Sequence, residues 1–258
     1  MDLLYLCGFA FLAGLVDSVV GGGGLIQLPA LLLFLPAPLA VSLPAVFGTN
    51  KMSSICGTSI AVVQYARRIP IPWRVVLPAA GTAFIFSFLG ARAVTVLPKE
   101  FLKPLILVLL VGVAVWTYTR KDWGQLHAPK LSAAAGRAYA VLVGATIGFY
   151  DGFFGPGTGS FLIFAFIGLF GFDFLNASAG AKVVNFATNL AAILYFGATD
   201  NILYAYALPM GACNILGSLA GTRLAMLKGN RFVRGFFLCV VAAIIMRLGY
   251  DLVPGVRR

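Results

Sequence analysis

The chain repeats itself, and what it repeats is almost entirely apolar. Lys51, Pro78, Gly90, Arg92 and Phe101 recur 131 positions later as Lys182, Pro209, Gly221, Arg223 and Phe232, and Gly14, Asp17, Gly21 and Gly23 recur 134 positions later as Gly148, Asp151, Gly155 and Gly157. A duplicated multi-helix unit in a membrane is the pattern of many secondary transporters, whose site lies between pseudo-symmetric halves. A carrier is the first expectation.

The apolar content sets the class. Hydrophobic residues make up 60% of the chain and charged residues 10%, and residues 75–91, 104–119, 183–199 and 201–222 carry no charge. Such stretches cannot keep a soluble surface wet, and they lack the short alternating pattern of a β-barrel. Met1-Asp2 has no basic leader, so the first apolar stretch is expected to stay in the membrane. Cys7, Cys56, Cys213 and Cys239 sit singly in apolar segments and read as small hydrophobes, without disulfide or metal spacing.

Five apolar elements are read in each half: 3–20, 25–35, 38–66, 74–97 and 101–119, then 137–154, 159–171, 174–197, 202–225 and 232–252. The second of each half has only 11 to 13 residues, short of the roughly 20 needed to cross a bilayer. It is either a short spanning helix or the return arm of a re-entrant hairpin. Either way each half crosses an odd number of times, and an odd repeat is inverted relative to its twin. Threading the chain accordingly puts Arg67, Arg68, Arg74, Arg120, Lys121, Lys130, Arg137, Lys228, Arg231 and Arg234 on one side. Only Lys99, Lys103, Arg257 and Arg258 fall on the other. Basic short loops stay cytoplasmic, which puts both termini outside. The loop after the fourth element is basic in both halves, so an even-numbered, non-inverted repeat stays open. The expected organisation is a first membrane repeat at 1–119, a polar cytoplasmic linker at 120–137 and a second repeat at 138–258. The fold class is all-α, a polytopic helical membrane protein of two inverted repeats with broken or re-entrant helices. The lone His127, in the linker, reads as solvated.

Seven ionisable groups fall within apolar segments or at their edges: Asp17, Lys51, Arg92, Asp151, Lys182, Arg223 and Arg247. Charge at membrane depth is costly enough that such residues face a polar cavity or a partner. Six of them are repeat-related pairs; Arg247 has Asp251 one turn on and needs no further role. Each aspartate runs into a glycine-rich stretch that interrupts its helix, DSVVGGGG after Asp17 and DGFFGPGTG after Asp151. Backbone freed at membrane depth needs protein or water partners. Amides near Leu25 and Ser160, at the start of the next helix, are therefore expected to face an anion. The competing reading is a tight turn whose glycines allow close packing. A second break is expected in the third elements, at Gly48-Thr49-Asn50-Lys51 and Gly180-Ala181-Lys182. The candidate substrate-binding residues are Gly22, Gly23, Gly24, Thr49, Asn50, Lys51, Gly157, Thr158, Lys182 and Asn185. Asp17 and Asp151 are candidates for proton or cation coupling. Arg92 and Arg223 are candidates for electrostatic support, with positive-inside anchoring as the other reading. No Ser-His-Asp set, Cys-His set or metal-ligand cluster is present, so no catalytic residue is assigned.

The stretches GLVDSVVGGGGLIQLPALLL, FGTNKMSSICGT, GFYDGFFGPGTGSFLIF, AKVVNFATNLAAILYF and MGACNILGSLAGTRLA resemble the TauE/SafE sulfite-exporter family of the toluene-sulfonate uptake permease superfamily. The resemblance covers nearly the whole chain and is nearest to the branch with DSxxGGGG and DGFFGPG. Many other members have GTS where this chain has GTNK. The resemblance implies a multi-pass carrier of the bacterial inner membrane for small, often sulfur-containing anions such as sulfite or organosulfonates, with no cofactor. The expected partners are a small-molecule anion and membrane lipid, with no nucleic acid and a homo-oligomer left open. The expected activity is export or exchange by alternating access; a passive anion channel and a membrane-embedded enzyme are the alternatives.

Overall fold

The computed structural model describes residues 2–36, 42–94 and 131–252. All regular structure among these residues is helical: α1 (Asp2–Val20), α2 (Gly23–Phe34), α3 (Leu43–Ala66), α4 (Trp73–Ala93), α5 (Ala133–Phe153), α6 (Thr158–Gly168), α7 (Phe174–Ala198) and α8 (Tyr204–Leu252). The fifth element of the first half, most of the linker with His127, and Lys99, Lys103, Arg257 and Arg258 lie outside the described residues. By length and composition, α1, α4 and α7 can cross a bilayer. Polarity is arranged as lipid requires. Large apolar side chains such as Leu33, Leu77, Ile85, Leu142, Leu216 and Leu227 face outward, while Ser18, Gln27, Ser53, Ser87, Asn189 and Asn214 are buried. Lipid tails offer helices no hydrophobic reason to associate, so small and polar residues make the interfaces. This is a helical membrane protein.

The short second elements are the return arms of hairpins. Phe34, at the end of α2, stacks on Tyr5 and Phe9, near the start of α1. Leu6 and Leu35 of this first hairpin join Phe47 at the start of α3, Val94 at the end of α4, and Phe196 and Ile202 between α7 and α8. The second hairpin opens at the opposite end of the bundle. There Ile167, Phe170 and Phe172, at and after the end of α6, pack with Tyr65 at the end of α3, Ile71 and Val76 at the start of α4, and Phe174.

The halves exchange equivalent contacts. Helix α1 packs on α8 as α5 packs on α4, and α3 packs on α8 as α7 packs on α4. Ser87 donates to the Thr188 carbonyl at 2.9 Å, and its counterpart Ser218 donates to the Gly57 carbonyl at 2.7 Å. Gly90 lies against the Phe149 carbonyl, as Gly221 lies against that of Leu15.

The expected break in the third elements does not occur: α3 runs unbroken through Gly48 to Lys51, and α7 through Gly180 to Lys182. The glycines serve packing instead. A Cβ on Gly48 would meet the Asn201 carbonyl, and one on Gly180 would lie 3.0 Å from Val76. Thr49 returns its hydroxyl to the Ala45 carbonyl at 2.6 Å and accepts from the Leu203 amide at 3.0 Å, pinning α3 to α8. Thr49, Lys51 and Lys182 find partners outside their own helices without disturbing the backbone. The break between the fourth and fifth elements of the second half is real, at Gly229 with φ 72°.

Candidate functional site

Both aspartates sit where a helix stops. Helix α1 ends at Val20, Gly21 turns the chain at φ 78°, and α2 begins two residues later. Helix α5 ends at Phe153, and Gly155 (φ 90°) and Gly157 (φ 85°) lead into α6. A helix end leaves four carbonyls without partners. In α1 each is satisfied: Asp17 by the Gly21 amide at 2.8 Å, Ser18 by the Tyr65 hydroxyl at 2.9 Å, Val19 by Ser178 at 3.2 Å and Val20 by Ser160 at 2.8 Å. Two of these hydroxyls come from the second half, so the broken helix is completed by its twin. In the other turn the Tyr150 hydroxyl donates to the Pro156 carbonyl at 2.6 Å.

This arrangement changes the role of the named amides. The Ser160 amide donates to the Gly21 carbonyl at 3.2 Å, and the Leu25 amide to that of Gly22 at 3.1 Å. Neither is left for an anion. Gly24 and Gly159, which line the central cavity, carry first-turn amides of the kind that lack a partner in their own helix.

The charged residues meet across the halves. Lys51 Nζ of α3 lies 2.7 Å from Asp151 Oδ2 of α5, and Lys182 Nζ of α7 donates to Asp17 Oδ2 of α1 at 2.9 Å. All four belong to one reciprocal arrangement, in which each half supplies the cation for the other's broken helix. Lys182 is fully enclosed and Asp17 is 16% exposed, whereas Lys51 and Asp151 are 5% and 2% exposed. Gly155 makes room for this approach, since a Cβ there would stand 3.0 Å from Lys51 Nζ. The lysines are thus not a free cationic pair; each is neutralised in place.

Between the pairs is a small cavity of about 20 Å³, room for about one water molecule. Of the sequence-predicted residues, Asp17, Gly24, Asn50, Lys51, Asp151, Gly157, Thr158 and Asn185 line it. Asn50 Oδ1 is buried and accepts no hydrogen bond among the described residues. Gly22 caps α2, Gly23 lies against Ala13 and Asp17, Thr49 pins α3, and Lys182 stands behind the cavity. Arg92 and Arg223 are exposed and do not line it. Ser54 and Asn189 line it without having been singled out as site residues. Each lies one helical turn beyond Asn50 or Asn185, a spacing that becomes visible once α3 and α7 are read as continuous.

A buried polar junction supports one side only. Gln27 of α2 donates to the Asn50 carbonyl at 3.2 Å and accepts from Ser53 at 3.4 Å and Asn214 at 3.0 Å. It ties α2 to α3 and α8. The repeat-related position of Gln27 is Phe161, 134 residues on, a side chain that cannot make such a junction.

The description "Sulfite exporter TauE/SafE" matches residues 6–248. The chain is 36% identical over 252 residues to "Probable membrane transporter protein ORF9" of Sinorhizobium sp, covering 96% of this chain and 93% of the relative. It is 32% identical over 253 residues to a "Probable membrane transporter protein" of Haemophilus influenzae, covering 97% and 95%. It is 30% identical over 242 residues to "Probable membrane transporter protein YfcA" of Escherichia coli K12, covering 94% and 87%. No solved structure matches. These matches identify a membrane transporter rather than an enzyme.

Proposed function

Because this chain belongs to the sulfite exporter TauE/SafE family, we propose that it carries a small oxyanion, sulfite or an organosulfonate, by alternating access between inverted halves. The observation that carries this reading is the reciprocal pair of buried ion pairs, Lys51–Asp151 and Lys182–Asp17, around a small cavity. The two ion pairs at the cavity together carry no net charge, so an anion enters only by replacing a carboxylate as the partner of a lysine. The displaced aspartate would then be a buried charge without a cation, which costs several kcal/mol. A proton on that aspartate removes the cost. Anion binding and aspartate protonation are therefore favoured together, and the two move together in whichever direction the gradients dictate. Asn50, Ser54, Asn185 and Thr158 supply neutral hydrogen-bonding groups around the ion, and Asn50 Oδ1 accepts from a protonated oxyanion or a water.

Opposite openings of the two hairpins support inversion, and the basic residues support its orientation. Arg67, Arg68 and Arg223 share one groove, and Arg74 and Arg137 share another at the same end. In a cysteine-free background, single cysteines at Arg68 and Arg137 are expected to label from the cytoplasm, and one at Thr199 from outside. Labelling of all three from one side contradicts the inversion.

Reconstituted protein tests the coupling. A proton gradient is expected to drive accumulation of labelled sulfite or a sulfonate. Asp17→Asn and Asp151→Asn are expected to abolish accumulation while sparing counterflow exchange, because asparagine keeps size and polarity but cannot titrate. Equal loss of both in folded protein refutes coupling by these aspartates. Flux indifferent to the gradient in the parent protein identifies a passive channel.

A further inference from the structure

We propose that the groove between the end of α3 and the part of α8 just before its kink at Gly229, marked by Arg67, Arg68 and Arg223, binds the headgroup of an anionic phospholipid. The groove measures about 420 Å³, and none of its lining residues lines the central cavity. Its lining residues include three arginines and no acidic residue. Arginine cannot shed its charge, so the three repel one another until an anion lies between them.

The other walls name the rest of the ligand. Ile60 and Val63 of α3 and Leu219 of α8 lie beside the arginines, and Val63 and the nearby Leu216 are 46% and 58% exposed. Arg67 and Arg68 directly follow the end of α3. Arg223 lies 19 residues beyond Tyr204, the first residue of α8, a rise of about 28 Å that matches the thickness of the hydrocarbon core. The positive charges therefore stand at the level of a bilayer surface, with an apolar strip running inward from them. That polarity fits an amphiphile, with phosphate at the arginines and an acyl chain along Ile60, Val63 and Leu219. A free oxyanion would have no use for the strip.

The cluster belongs to one end of the molecule. The positions that correspond to Arg67 and Arg68, 131 residues on, are Ala198 and Thr199. Duplication thus kept Arg92 and Arg223 in both halves, whereas the adjoining arginine pair occurs in one. If that end is cytoplasmic, as the basic loops imply, it faces the leaflet where anionic headgroups attract juxtamembrane arginines.

Native mass spectrometry of the intact protein in detergent decides the matter, with phosphatidylglycerol, phosphatidylcholine and inorganic phosphate as probes. Phosphatidylglycerol is expected to be retained at about tenfold lower concentration than phosphatidylcholine. The triple variant Arg67→Gln/Arg68→Gln/Arg223→Gln is expected to lose that preference, and Arg137→Gln, in the neighbouring groove, to keep it. Arg223→Lys preserves the charge and is expected to retain most of the preference, which separates loss of the site from loss of the fold. Equal retention of the two lipids by the parent protein, or an unchanged preference in the folded triple variant, overturns the proposal. So does displacement of phosphatidylglycerol by inorganic phosphate at equal concentration, which would make the groove a site for free anions.

Discussion

Gly159→Ala is expected to leave little folded protein, although it adds one methyl group to a helix. The two glycine-rich turns cross at Gly21 and Gly159, backbone against backbone. A Cβ on Gly159 would stand 2.4 Å from Gly21 Cα and 2.7 Å from its carbonyl oxygen. No side chain can rotate away, because both obstructing atoms belong to the main chain. The crossing also carries the Ser160 amide bond to the Gly21 carbonyl and the Ser160 hydroxyl bond to that of Val20. Separating the turns to admit the methyl group would break both. Overpacking typically costs about 1 to 3 kcal/mol, and each buried polar group left unsatisfied about as much again, so a loss of about 3 kcal/mol or more is expected. Gly21→Ala should cost still more, since Gly21 is also held at φ 78°, a conformation alanine adopts at a penalty. Gly81 in α4 is the control, with nothing within 4 Å of its missing Cβ. Gly81→Ala is expected to change stability by less than about 1 kcal/mol, in the stabilising direction. Thermal unfolding in detergent checks all three, and similar melting temperatures for Gly159→Ala and Gly81→Ala would show that the turns do not pack as described.

The same crossing explains what could be read in the sequence and what could not. Glycine clusters after Asp17 and Asp151 announced broken helices because glycine disfavours helix wherever it sits. The partners of those glycines could not be read, since they lie in the other half of the chain, and the packing alternative holds at Gly21 and Gly159. The four buried charges could likewise be recognised from their apolar surroundings and their repeat spacing. Their pairing could not, because charge in an apolar segment predicts a partner without naming it; residue type alone assigns the lysines to the substrate and the aspartates to the coupling ion, not to one another. The glycine and polar residues at 48–51 and 180–182 misled for a related reason. In an apolar run they look like a helix break, but inside a protein-lined interior a side chain can satisfy itself across helices while its backbone stays regular. Length misled too: the apolar run read at 38–66 is longer than helix α3, which begins at Leu43 and spans 24 residues. Arg92 and Arg223 recur in both halves as faithfully as the lysines do, yet they are exposed; repetition marks a shared fold position and does not separate an interior charge from one on an exposed face.

Removing one member of an interior ion pair is expected to cost stability, whereas removing both is expected to cost only transport. Lys51→Met leaves the Asp151 carboxylate, 2% exposed, beside no cation. Breaking a buried pair in this way costs about 3 to 5 kcal/mol, unless the carboxylate takes up a proton. Lys182→Met should cost less, because Asp17 at 16% exposure keeps some access to the cavity. The double variant Lys51→Gln/Asp151→Asn replaces two charges by two neutral hydrogen-bonding groups of similar size. It should recover most of the lost stability, since neutral replacements of buried ion pairs are often tolerated. It should not recover transport, because it has neither a cation for the oxyanion nor a carboxyl group to carry a proton. Affinity for sulfite or a sulfonate in that variant is expected to fall by about 1 to 3 kcal/mol, or roughly 5- to 150-fold, the loss of one charge-assisted contact partly offset by Asn50, Asn185 and water. Unfolding curves and calorimetric titration on the same preparations separate the two effects. Full activity in the stable double variant would mean that the Lys51–Asp151 pair holds the halves together and takes no part in moving the anion, leaving Lys182 and Asp17 to carry the coupling alone.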